Sequence, residues 1–199
     1  MNWKEYLITT SDESNRARSA FLEECGDALG EVAQLLGHCI KQGGKLLILG
    51  NGGSAADAQH MAAEMVGRMM IERPPLAAIA LTTDTSNLTA IGNDYGYDWV
   101  FVKQVEALAK PGDLLLAIST SGNSKNVVLA VERAKQLGCK VVSLTGGSGG
   151  LLKSLSDISL NVSQAKNSSR VQETHIFAIH SIVDLLDRFY LPEHLSAQK

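Results

Sequence analysis

The sequence predicts an α/β fold: a parallel five-stranded sheet with helices on both faces, preceded by an N-terminal helical arm. Three observations lead there. Five short runs, at 45–49, 77–81, 114–118, 141–144 and 158–162, are apolar almost throughout. A strand that is apolar on both sides is covered on both, as in a parallel sheet and unlike the half-solvated strands of most antiparallel ones. Helical stretches alternate with these runs, at about 54–70, 86–92, 98–109, 123–137, 149–154 and 171–190. Right-handed crossovers then lay helices on each face of the sheet. Ahead of the first run, Ala20, Phe21, Cys25, Leu29, Val32, Ala33, Leu36 and Ile40 recur at helical spacing over 13–41, with Gly43 and Gly44 placed to stop the helix.

A chain of 199 residues fits one domain, so 1–199 reads as a single unit of which about 1–42 is a helical arm for oligomerisation. Lys and Arg number 18 against 21 Asp and Glu, a net charge of −3. That balance offers no basic excess for a phosphodiester backbone, so no direct nucleic-acid partner is expected. No apolar run approaches the ~20 residues of a membrane span, and the start lacks the basic-then-apolar layout of a secretory signal. Cys25, Cys39 and Cys139 are odd in number, far apart and set among apolar residues, which reads as buried free thiols in a reducing compartment. The expected location is cytoplasmic, with no membrane partner.

In such sheets ligands bind beyond the carboxyl ends of the strands, and two loops there carry unusual residues. The first is Gly50, Asn51, Gly52, Gly53, Ser54, which opens a helix with a candidate capping box from Ser54 to Asp57. Glycines let a backbone approach a ligand and the helix start aims free N–H groups at it, although a tight βα turn needs the same residues. The loop is neither a Walker loop nor a dinucleotide fingerprint. The second loop, ISTSGNS at 118–124, follows an apolar strand and packs Ser119, Thr120, Ser121 and Ser124 around Gly122. A helix cap or ST-turn uses one or two hydroxyls; four neutral donors at a helix start suit a phosphate monoester.

Together, GNGGSAADAQHMAAE, IGNDYG, ISTSGNS, LTGGSGG and RVQETHIFAIH resemble the SIS (sugar isomerase) domain family, and within it the phosphoheptose isomerases, over nearly the whole chain. The resemblance implies a SIS-type, flavodoxin-like sheet, a phosphorylated heptose substrate and a homo-oligomer, tetrameric in that family. It implies substrate contacts at Asn51, Gly52, Gly53, Glu64, Asn93, Asp94, Ser119, Thr120, Ser121, Ser124 and Gln172. It also implies one zinc ion per subunit held by His60, Glu64, Gln172 and His180. Read alone, His60 and Glu64 are simply four apart on one helix face, a spacing more often a plain hydrogen bond than a site.

If 172 to 180 is one straight helix, Gln172 and His180 stand about 12 Å apart along it and cannot easily share an ion. Either Gln172 precedes the helix or another subunit completes the site. His175 reads as a histidine of the core or one that backs the site's ligands, His38 and His194 as incidental, and Arg68, Arg73 and Arg170 as conceivable phosphate partners.

The resemblance implies aldose–ketose isomerisation through an enediol, converting sedoheptulose 7-phosphate to D-glycero-D-manno-heptose 7-phosphate for the lipopolysaccharide core. Glu64 is the expected base and His180 the expected acid/base. A rival comes from a sister group, tetrameric scaffolds that bind the replication initiator DnaA, which LTTDTSNLTAI and FYLPEH also resemble. Those scaffolds lack the acid/base pair that this chain carries at 64 and 180.

Overall fold

The computed structural model describes residues 2–191. Helix α1 (Trp3–Lys41) is followed by β1 (Leu46–Gly50), α2 (Gly53–Val66), β2 (Ala78–Ala80) and α3 (Thr85–Tyr95). A single 3-10 turn, Tyr97–Trp99, leads into α4 (Val100–Leu108), β3 (Leu114–Ser119), α5 (Lys125–Gln136) and β4 (Lys140–Gly146). Then come α6 (Gly150–Leu155), β5 (Ile158–Val162), α7 (Ser168–Leu185) and a terminal π-helical turn, Leu186–Tyr190. The five strands run parallel in the order β2-β1-β3-β4-β5, the predicted architecture.

The wholly apolar strands sort their side chains by pleat. Leu46, Ile48, Leu114, Leu116, Val142 and Leu144 pack under α1, α2 and α7, while Leu47, Leu49, Leu115, Ala117 and Val141 pack under α4, α5 and α6. Chain order reverses between β1 and β3, because β2 lies outside β1 on one side and β4 and β5 lie beyond β3 on the other. Ligands in open parallel sheets lodge at such a reversal. Here it lies between the two loops that the sequence singles out.

Helix α1 is longer than its apolar stripe. Its buried stripe runs from Ala17 through Phe21, Cys25, Leu29, Val32 and Leu36, whereas Trp3, Tyr6, Leu7 and Ile8 near its start are exposed. Asn2 caps this overhang in a box with Glu5. All three cysteines are buried free thiols. No helix among the described residues is long and apolar enough to cross a membrane. His194 lies outside the described residues.

Candidate active site

Helix α2 carries His60 and Glu64 one turn apart, with His60 Nε2 at 3.4 Å from Glu64 Oε1. Helix α7 packs against it and brings His180, 120 residues further along the chain, to 3.0 Å between the two imidazole Nε2 atoms. The two rings meet edge-on, 5.1 Å between centroids. One ligand atom from each of His60, Glu64 and His180 lies within 4.8 Å of the others.

The polar accounting within this cluster is incomplete. Two imidazole nitrogens that face each other share at most one proton, and Glu64 Oε2 is buried with no hydrogen-bond partner. Buried polar atoms are nearly always paired, so an orphaned carboxylate oxygen beside two converging ring nitrogens fits a cation. Nitrogen and carboxylate ligands of this kind suit zinc among other metals.

A buried clamp sets the crossing of α2 and α7. The Arg73 side chain is fully buried; its guanidinium donates to the carbonyls of Glu64, Met65 and Gly67 at 2.8, 2.8 and 3.2 Å, and to Asp187 Oδ1 at 2.8 Å. It thereby satisfies carbonyls that the end of α2 leaves free and ties them to the C-terminal turn after α7. Arg73 is therefore no phosphate partner: its side chain is fully buried and Nε, Nη1 and Nη2 each donate to protein acceptors. Arg170 joins α7 to α1 through Thr10 O and Ser14 Oγ, at 3.0 and 2.6 Å. Arg68 forms an exposed pair with Glu72.

Gln172 does not precede α7; it lies within the helix's second turn. Its amide covers Gly53, where a Cβ would meet Gln172 Nε2 and push the end of that side chain aside. Gln172 thus stands over the loop and His180 over α2, as the helical rise dictates. His175, between them, is fully buried with Nε2 at 3.1 Å from Thr145 O, and burial lowers its pKa to about 4. It is the core histidine expected.

The capping box is not formed. Helix α2 begins at Gly53 with Gly52 as its cap, so Ser54 is already inside the helix and buried, and no side chain caps the end. Asp57, relieved of that role, has a buried Oδ2 without a partner, and burial raises its pKa to about 6 against the opposing charge of His60.

Across the sheet reversal, Ser119 ends β3 and its Oγ lies 3.0 Å from Ser124 Oγ and 3.5 Å from Ser121 Oγ. Of these three hydroxyls only that of Ser121 accepts from a backbone N–H, Asn123 N at 3.2 Å. Helix α5 begins at Lys125 with no side-chain cap, so the hydroxyl of Ser124 is not spent on the helix start. Gly122 sustains the bend with φ +66° where a Cβ would collide with the Gly149 carbonyl. Asn93 and Asp94 lie exposed at the end of α3, where Asn93 Nδ2 donates to Asp94 Oδ1 at 2.8 Å. Among the described residues, their side chains bond only to each other.

Two residues that sequence reasoning passed over join these parts. Asn126 forms a reciprocal amide pair with Asn51 at 2.9 Å in each direction, and Tyr97 OH reaches Asn51 Oδ1 at 3.3 Å. Asn126 lies two residues past the hydroxyl loop, at a position that reads as an ordinary helix residue. No signal in the sequence marks it.

Residues 11–146 match the SIS domain family. A phosphoheptose isomerase of Nitratidesulfovibrio vulgaris is 47% identical over 197 residues, covering 99% of this chain and 94% of its own. The chain belongs to the phosphoheptose isomerase family. A Campylobacter concisus member is 56% identical over 159 residues, covering 80% of this chain and 84% of that one. Among solved structures, the Neisseria gonorrhoeae phosphoheptose isomerase aligns with a TM-score of 0.88 at 46% identity, over 94% of this chain and 99% of that one. The Francisella tularensis enzyme gives 0.90 at 39% identity, over 94% and 100%. The family's isomerase chemistry is the frame for the cluster on α2 and α7.

Proposed function

We propose that this enzyme interconverts sedoheptulose 7-phosphate and D-glycero-D-manno-heptose 7-phosphate through a 1,2-enediol. The observation that carries this reading is the convergence of Glu64 and His180, from two helices far apart in sequence, on a sheet whose reversal presents a cluster of hydroxyls. The phosphate rests on Ser119, Thr120, Ser121 and Ser124, where neutral donors and the start of α5 favour an anion. Asn51, Gly52, Gly53, Asn93, Asp94 and Gln172 bind the sugar.

Glu64 removes a proton from C1 of the open-chain ketose, the C2 carbonyl becomes the enediol hydroxyl, and the proton returns to C2 to give the aldose. His180 carries the hydroxyl proton from O1 to O2 and assists ring opening. His60, Glu64 and His180 would hold one zinc ion, and Gln172, two turns along α7 from His180, would join them only where another subunit completes the site. Bound there, the ion would supply Lewis-acid stabilisation of the developing oxyanion.

The exposed Trp3, Tyr6, Leu7 and Ile8 on the overhang of α1 support a homo-oligomer, which we take to be a tetramer whose subunits complete one another's sites. The enzyme works in the cytoplasm and supplies heptose for the lipopolysaccharide core. The test is incubation with sedoheptulose 7-phosphate, with added zinc and with a chelator, followed by detection of the aldose. Product that disappears with the chelator supports the reading. No turnover under any metal condition, with binding to the initiator DnaA, would move the function to a scaffold; light scattering reads the oligomeric state.

A further inference from the structure

Asn126, in the first turn of α5, bonds to the first loop of the site through Asn51. Strand register pairs Gly50 with Ile118, so Asn51 and Ser119 are the next residues out on adjacent strands. Between them stands the amide pair: Asn51 Nδ2 donates to Asn126 Oδ1 and Asn126 Nδ2 donates to Asn51 Oδ1, each at 2.9 Å. Tyr97 OH donates to the same Asn51 Oδ1 at 3.3 Å. A carboxamide has two N–H donors and two acceptor lone pairs. The pair and the tyrosine take both lone pairs of Asn51 and one of its N–H groups, so a single N–H is uncommitted. Asn126 is only 4% exposed, which locks its half of the pair in place. A second tie, Lys125 Nζ to Asp98 Oδ2 at 2.6 Å, holds the Tyr97–Trp99 turn against the start of α5.

We propose that Asn126 is a positioning residue, fixing the Asn51 amide so that Asn51 serves as a donor to a phosphosugar oxygen and not as an acceptor from a hydroxyl. The inference rests on the reading of Asn51 as a substrate contact. Replacing Asn126 by leucine removes the partner at similar volume and frees the Asn51 amide to turn. Replacing it by aspartate is harsher above the carboxyl pKa, because an acceptor-only carboxylate faces Asn51 Oδ1 across the lost bond. Protonation of that aspartate restores one donor and one acceptor, which rebuilds the pair.

Two readouts test this. In nitrogen-15 spectra of the free protein, the Asn51 side-chain NH2 signal, identified by its loss in Asn51→Ser, is expected to exchange slowly in the wild type and to shift and exchange faster in Asn126→Leu. In kinetics, Asn126→Leu is expected to raise KM for sedoheptulose 7-phosphate by roughly 5- to 30-fold, with a smaller fall in kcat. KM of Asn126→Asp, taken relative to wild type at each pH, is expected to recover as pH falls, while that of Asn126→Leu does not. An Asn51 signal unmoved by Asn126→Leu overturns the inference, as does a loss of kcat with KM unchanged. If the wild type fails to turn over the sugar, the functional reading falls instead, and the Asn51 signal alone decides the role of Asn126.

Discussion

The hydroxyl loop and the His–Glu–His cluster are built in opposite ways. The loop is contiguous: Ser119 to Ser124 follow one strand, use neutral donors and owe their convergence to a local bend at Gly122. The cluster joins a histidine and a glutamate on α2 to a histidine on α7, uses ionisable groups, and owes its convergence to packing and to the Arg73–Asp187 clamp. Recognition of a phosphate can thus be written into a few adjacent residues. Acid/base chemistry on the sugar demands groups whose separation is set by the whole fold.

Experiments that break this contrast are ordered by expected effect. Glu64→Gln should lower kcat by about 10²–10⁴-fold, the range of a general base, while phosphosugar binding by calorimetry changes far less. If turnover survives intact, Glu64 is not the base and the cluster is not the catalytic half.

Arg73→Met should destabilise the protein by about 3–5 kcal/mol in denaturant unfolding, because Asp187 would be left buried and unpaired. Burial already raises the Asp187 pKa in spite of the arginine beside it, so the carboxylate is poorly placed to lose that partner. A change within ~0.5 kcal/mol would deny the clamp its role in holding α2 to α7.

Two titratable groups, His175 on α7 and Asp57 on α2, sharpen the contrast. His175 has a native pKa of about 4, below its ordinary 6.5, so between those values the unfolded chain binds the extra proton. Its contribution is full above pH 6.5 and is lost as pH falls towards 4, on the order of 3 kcal/mol. Asp57 acts in the other direction: with a native pKa of about 6 against 3.8, it stabilises fully below pH 3.8 and that contribution is lost as pH rises through 6. Urea midpoints measured from pH 7 to 4 should therefore fall less steeply in His175→Gln than in the wild type, and more steeply in Asp57→Asn. Equal slopes in all three would refute both assignments.

Ser119→Ala should have the smallest effect, raising KM about 3- to 10-fold with kcat nearly unchanged, since one neutral hydrogen bond contributes about 1 kcal/mol. A loss confined to kcat would place the loop in the chemistry and erase the difference between the two regions.

The strands were legible because a parallel sheet buries both faces, so 45–49 and 114–118 are apolar at every position or nearly so and admit one reading. The helices that alternate with them followed, to within a few residues. The capping box at Ser54 and Asp57 misled, because its pattern is local and the helix takes Gly52, two residues before Ser54, as its cap. Arg73 looked available to a phosphate because charge in a sequence carries no burial. The candidate metal ligands His60, Glu64 and His180 were named through resemblance to a family, and their spacing along the chain says nothing about a 3.0 Å contact.

What the sequence determined by itself is the sheet, the long first helix, the glycines that bend the loops and the row of hydroxyls at the end of β3, all properties of adjacent residues and their periodicity. The tertiary structure alone decided that His180 meets His60, that Gln172 covers Gly53, that Arg73 is buried against Asp187 and that Asn126 grips Asn51. Each of these depends on where two distant segments come to rest. Side-chain chemistry names the possible partners, and only the packing of α2, α5 and α7 on one twisted sheet chooses among them.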